Sequence, residues 1–349
     1  MTTTRRTLLA SAGFTAAGGL LAAPRLAKGQ GALTPVRFSL DWAFQGPQSC
    51  YLLALDRGYF REEGLNVTID RGFGSGDVPV KVASGAYEFG VGDVSSTMRM
   101  RLTQPNTDII TPWVLQQGSP LAAMTLRRTN IRTPKDLEGK RLAAPETDAG
   151  RQLFPAFARA TGIDASKITW ITVTPPLREP MLARGDADAI TGFETSGVFS
   201  LLALNVARPD IVSMRYSSFG VTLLSTALQV RRPYAEANPR IVTGMIRAIA
   251  RGHVDAFRDP DAAIAALVRR DATAPAALEK ARLIANFEFV RTPEVASGGF
   301  GNLTMARMQA AIDTIRTAFA IPGELPATEF YLPQFLPPAD QLRFPAAAG

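Results

Sequence analysis

The chain has 349 residues, enough for two domains, and its 46% hydrophobic and 20% charged residues are a globular balance that excludes a disordered polymer. The formal charge of +7 invites a nucleic-acid reading, but Arg5, Arg6, Arg25 and Lys28 sit in an N-terminal stretch without an acid. Without those four, 7 − 4 = +3 remains, with no dense basic run to follow a phosphate backbone. The single cysteine, Cys50, excludes an intramolecular disulfide framework, so size must supply stability.

Residues 1–29 carry the marks of an export signal. Thr4-Arg5-Arg6-Thr7-Leu8-Leu9 is a twin-arginine start, and Ala27-Lys28-Gly29 puts small residues where a signal peptidase reads. The apolar stretch between them, 8–23, is diluted by Gly13, Gly18 and Gly19 and is shorter than the roughly 20 residues of a spanning helix. The expectation is cleavage near Gly29 or Gln30 and a periplasmic mature chain.

From there strand-like and helix-like pieces alternate. A strand over 36–42 is followed by helices over 48–56 and 59–63, a strand over 66–70, a glycine-rich loop and a helix over 78–84. A strand over 88–93 precedes a helix over 95–102. The middle repeats the rhythm, with strands over 141–144, 169–173 and 189–193 and helices over 149–161, 177–184 and 197–204. This is the pattern of parallel βαβ units. Two extended stretches break it, 121–128 (LAAMTLRR) and 225–232 (STALQVRR). A lobe inserted between two crossing strands would read this way, with 30–128 plus 225–349 as lobe 1 and 129–224 as lobe 2. From Pro239 onward the chain reads as helical. Val242, Ile246, Ile249, His253 and Phe257 form one stripe, and Met305, Met308, Ile312, Ile315 and Phe319 another.

Catalytic signatures are sparse. His253 is the only histidine and lies on an apolar stripe, where a packing role is the usual one. One His and one Cys leave the usual zinc set short of ligands. No Gly-x-Ser-x-Gly elbow occurs, and Gly72-Phe73-Gly74-Ser75-Gly76 fits neither a Walker loop nor a dinucleotide fingerprint. Asp41 and Asp93 both end strands, which keeps a carboxylate hydrolase as the enzymatic alternative. The expectation is a chain without catalytic residues, cofactor or metal.

Ligand-type residues do gather, at the carboxyl ends of the strands, where open parallel sheets bind their ligands. The first strand ends in Asp41-Trp42-Ala43-Phe44-Gln45, the second leads to Gly74-Ser75, and the third to Asp93 with Ser95 and Ser96. Gln116 follows the fourth, and Glu146-Thr147-Asp148 and Phe193-Glu194-Thr195 stand at strand ends of the middle segment. A hydroxyl at a helix start is an N-cap whatever else it does. The convergence of several such ends, with aromatic rings among them, has the make-up of a small-molecule pocket.

"SLDWAFQGP", "ALDRGYFREEGLNVTI" and "VASGAYEFGVGDVSS", followed by "IRTPKDLEGKRLAAP" and "MLARGDADAITGF", resemble periplasmic solute-binding proteins of the NMT1/THI5-like group and its taurine, alkanesulfonate and nitrate relatives. The resemblance runs over roughly 36–290. It implies a two-lobed periplasmic-binding-protein fold (type II) of mainly parallel α/β lobes, with two crossing strands as a hinge. It also implies a ligand in the cleft and delivery, as a monomer, to the membrane permease of an ABC importer. Members binding thiamine pyrimidine precursors follow Leu-Asp-Trp with Pro-Asn-Thr, where this chain has Ala43-Phe44-Gln45. Their Asn-Glu-Pro is here Glu194-Thr195-Ser196. The expected ligand is therefore a small planar or anionic organic molecule, pyrimidine-like, sulfonate or aromatic carboxylate.

Overall fold

The computed structural model describes residues 32–301 and 303–345; the expected export signal, 1–29, lies outside the described residues. Strands β1 (Thr34–Ser39), β2 (Leu65–Asp70), β3 (Phe89–Asp93) and β4 (Ile109–Val114) alternate with helices α1 (Ser49–Asp56), α2 (Tyr59–Glu62), α3 (Val78–Ala83) and α4 (Val94–Thr103). The chain then crosses to a second α/β unit. This comprises β5 (Leu121–Leu126), β6 (Arg141–Ala144), α5 (Ala149–Thr161), β7 (Thr169–Thr172), α6 (Arg178–Arg184), β8 (Ala189–Phe193), α7 (Glu194–Ala203) and β9 (Ile211–Arg215). It returns through β10 (Thr226–Arg231) to a helical tail: α8 (Arg232–Ala237), α9 (Pro239–Arg258), α10 (Pro260–Val268), α11 (Ala276–Val290), α12 (Pro293–Gly298) and α13 (Met305–Ala318).

The two five-stranded sheets share one plan, β2-β1-β3-β10-β4 and β7-β6-β8-β5-β9. In each, three parallel strands are followed by one antiparallel strand that has arrived from the other lobe. Those two strands, β5 and β10, are the stretches that broke the sequence rhythm. Their direction has a geometric cause. A chain crossing between lobes enters each sheet at the edge where the parallel strands end, so it must run against them. β5 pairs with β8 and β9 in the second sheet, so the crossings fall in 115–120 and 216–225, on the near side of the 128/129 boundary expected from sequence.

Packing follows the two stripes. Val242, Ile246 and Ile249 of α9 are buried in one core with Phe38, Leu52 and Val91 and with residues of α1 and α10, and His253 stands buried against Tyr51 of α1. A second cluster joins Met98 of α4 and Met308 and Ile312 of α13 to Leu153 and Phe157 of α5, so apolar contact runs from one lobe into the other. Met305 departs from its stripe: it is the first residue of α13 and is 37% exposed. Helix α7 begins at Glu194, three residues before the expected start, which brings Thr195 and Ser196 into its first turn. Among the described residues no helix is long and apolar enough to cross a membrane.

Candidate functional site

Residues from the carboxyl ends of both sheets enclose a cavity whose empty space, counted with its mouth, is about 680 Å³. The first lobe contributes Asp41, Trp42 and Gln45 after β1, Tyr51 from α1, Ser75 after β2 and Gln116 after β4. The second lobe contributes Asp148 before α5, Arg178 at the start of α6, Phe193 at the end of β8, and Thr195 and Ser196.

Asp41 reaches its position because β3 carries glycine beside it. A Cβ on Gly92 would stand 3.2 Å from the Asp41 Cβ and 3.4 Å from that of Ser75. The carboxylate is 7% exposed. Ser75 Oγ donates to its Oδ2 at 3.1 Å and Gln48 Nε2 to its Oδ1 at 3.4 Å. Burial pushes the Asp41 pKa up to about 6, with these two hydrogen bonds offsetting only part of the desolvation. Behind it, Asp93 is fully buried. Its Oδ1 caps α4, accepting from the Ser95 and Ser96 N–H groups at 2.9 and 3.4 Å, and burial pushes its pKa up to about 7.

The opposite wall is built around Arg178, 1% exposed. Its Nη1 donates to Asp148 Oδ2 at 2.9 Å and to the Thr191 carbonyl at 3.1 Å, and its Nη2 donates to Glu179 Oε1 at 2.6 Å. Burial works against the guanidinium, but Glu179 and Asp148 outweigh it and keep the charge on. The same guanidinium lies 4.8 Å from the centroid of the Trp42 ring, a cation–π contact between lobes. A second bridge runs from Ser196 Oγ to Gln45 Oε1 at 3.0 Å.

Two further groups shape the floor. Thr226 Oγ1 donates to Gln116 Oε1 at 2.9 Å, which turns the amide NH₂ toward Asn286 Oδ1 at 3.5 Å. His253 is 2% exposed with its Nδ1 2.9 Å from the Ile249 carbonyl, and burial pushes its pKa down to about 4. With Nδ1 as the donor, the neutral ring keeps Nε2 as an acceptor. His253 therefore packs, edge-on to Tyr51, and also lines the cavity.

Of the residues singled out by sequence, Asp41, Trp42, Gln45, Ser75, Gln116, Asp148, Phe193 and Thr195 line this cavity. The others stand elsewhere. Phe44 lies on the core edge and in a groove at the cleft mouth. Asp93, Ser95 and Ser96 are buried behind the wall: Asp93, rather than Ser95, is the N-cap of α4, and Ser95 Oγ donates to the Leu224 carbonyl. Gly74 faces the Thr147 backbone, Thr147 Oγ1 donates to the Phe73 carbonyl, and Glu146 is exposed. Glu194 pairs with Arg215 in a separate groove between α7 and α11. Sequence reasoning missed Arg178, Ser196, Tyr51 and Asn286. Arg178 left one signal: a cation in the first turn of a helix opposes the dipole and needs a tertiary reason.

A sequence model described as "NMT1/THI5 like" matches residues 48–263. The formylaminopyrimidine-binding protein of Halalkalibacterium halodurans is 22% identical over 238 residues, 68% of this chain and 71% of that protein. The alkanesulfonate-binding protein of Xanthomonas axonopodis pv. citri superposes with a TM-score of 0.66 at 18% identity, covering 85% of this chain and 98% of its own. The nitrate-binding protein of Synechocystis does so at 0.61 and 11% identity, over 89% and 91%. At these identities the superpositions establish the fold, that of the periplasmic binding proteins. With the sequence match spanning well over half its length, this chain belongs to the NMT1/THI5-like family.

Proposed function

We propose that this protein is the solute-binding component of an ABC importer. It closes its lobes on a small planar molecule and presents it, as a monomer, to a membrane permease. Residues 1–29 act as a cleaved twin-arginine signal that places it in the periplasm. The observation that carries this reading is the interlobe cavity itself. Each lobe brings an aromatic ring, Trp42 and Phe193, and the first brings a buried carboxylate, Asp41, with no cation against it.

That charge pattern favours a hydrogen-bond-donating heterocycle of the pyrimidine type over a sulfonate or an aromatic carboxylate. An anion would meet Asp41 at close range, and the one arginine in the wall is already held by two carboxylates. A ring N–H or amino group satisfies Asp41, and leaving that acceptor unmet in a dry site costs about 1–3 kcal/mol. The formylaminopyrimidine relative supports this choice.

A thermal-shift series with 4-aminopyrimidines, alkanesulfonates, nitrate and aromatic carboxylates tests it. A ligand at a hundredfold its Kd stabilises by about 2.7 kcal/mol. The expected outcome is a rise in Tm with aminopyrimidines, largely lost in Asp41→Asn. A rise with sulfonate or nitrate alone overturns the ligand class, and conversion of the pyrimidine in the same tube overturns a pure binding role.

A further inference from the structure

The run Gly72-Phe73-Gly74-Ser75-Gly76 matches no phosphate-binding spacing, and the ligand cavity takes only Ser75 from it. Its contacts point to another use. On its own lobe, Gly72 N–H donates to the Trp42 carbonyl at 2.9 Å and Gly74 N–H to the Asp41 carbonyl at 2.8 Å. The turn is thus sewn to the backbone of both cavity residues. Toward the other lobe, Gly76 N–H donates to the Thr147 carbonyl at 2.9 Å, and Thr147 Oγ1 donates back to the Phe73 carbonyl at 2.9 Å. Thr147 precedes Asp148, which caps α5 and holds Arg178.

Two of the glycines answer to the opposing lobe. A Cβ on Gly74 would stand 2.4 Å from the Thr147 carbonyl oxygen, and the residue has φ +149°. Gly76 has no such backbone requirement. Its Cβ would stand 2.3 Å from Nε2 of Gln152 on α5, so the restriction at 76 comes from the second lobe alone.

We propose that turn 72–77 is a closure clasp. It docks on turn 145–148 of the second lobe largely through backbone groups and ties the Asp41–Trp42 wall to the Asp148–Arg178 wall when the cleft shuts. Glycine at 76 is the positioning residue: it lets the two turns meet without a side chain between them. Ser75, flanked by the two glycines, is carried into line with Asp41 by the same docking. The proposal rests on the reading that the lobes open and close, and not on which solute they hold.

Spin labels at exposed Arg61 and Ala160 report the interlobe separation with no solute present; the native thiol, Cys50, is buried. Alanine at 76 would only push aside the flexible end of Gln152, so the test uses Gly76→Leu. Wild type is expected to show a short-separation population that Gly76→Leu moves to longer distances at unchanged Tm. Adding Gln152→Ala is expected to restore at least half of it. Thr147→Val, which adds no bulk, is expected to lower the closed-to-open ratio at least twofold. The clasp is overturned by a wild type without the short population, by Gly76→Leu matching wild type, by a folded Gly76→Leu that Gln152→Ala leaves open, or, should Gly76→Leu not fold, by an unchanged Thr147→Val. A solute screen that finds nothing overturns the importer reading and leaves this measurement standing.

Discussion

The two walls of the cleft handle buried charge in opposite ways. In the second lobe, Arg178 is met by Asp148 and Glu179 at hydrogen-bond distance, and its remaining donors reach Thr191 and Ser196. In the first lobe, Asp41 receives only a hydroxyl and an amide. Asp93 behind it is compensated by a helix start and no cation. The second wall is electrostatically finished before any ligand arrives, and the first is left short of donors. A solute-binding cleft built this way holds its shape on one side and its selectivity on the other.

The largest test removes the finished side. Arg178→Met leaves Asp148 and Glu179 buried without the cation they are hydrogen-bonded to and is expected to destabilise the protein by about 3–5 kcal/mol, read in chemical denaturation. Neutralising both acids in the same background, Asp148→Asn and Glu179→Gln, should recover much of the loss; no recovery would mean the arginine acts through packing alone.

Next in size is the pH response of the unfinished side. Asp41 and Asp93 titrate at about 6 and about 7 when folded, against about 3.9 in an unfolded chain. Between those limits the native state binds more protons than the unfolded state, so stability falls as pH rises from about 4 through 7 and then levels. The contribution is on the order of 3 kcal/mol per group. Asp41→Asn and Asp93→Asn, the latter keeping an oxygen to cap α4, should each flatten the curve. A curve as steep in both variants as in wild type would remove these carboxyls as its source.

Smaller effects fall on the bridges between the walls. Trp42→Ala is expected to weaken solute binding at least tenfold, about 1.4 kcal/mol, because it removes a stacking face and the partner of Arg178 together. Calorimetry showing unchanged affinity would take Trp42 out of the site. Ser196→Ala removes the hydrogen bond to Gln45 and should cost about 0.5–1.5 kcal/mol. That loss is expected in the dissociation rate, since the bond forms only when the lobes meet.

Much of the architecture was legible in one dimension. Strand and helix alternation reports its own burial period, so the βαβ order, the α9 stripe and helix α5 could be read from apolar spacing. The two arginine-ended stretches stood out because each interrupts the strand–helix alternation, and they contain β5 and β10, the strands that follow the crossings. First-lobe cavity residues were legible too, since Asp41, Trp42 and Gln45 follow a strand and a strand's end points at the cleft. The hydroxyls at helix starts were not separable by sequence: Ser75 and Ser95 both read as caps, yet Ser75 faces the cavity, Ser95 lies behind it, and Asp77 and Asp93 hold the N-cap positions.

Local sequence therefore determined the elements, their order and the kind of chemistry at strand ends, because propensity and periodicity act over a few residues. Tertiary structure alone decided which of those groups meet. Arg178 joins Asp148 across 30 positions and faces Trp42 across a cleft. Gly76 is free to be any residue until Gln152 of the other lobe comes within reach. Distances of that kind are fixed by how two lobes close on one another, which no run of neighbouring residues encodes.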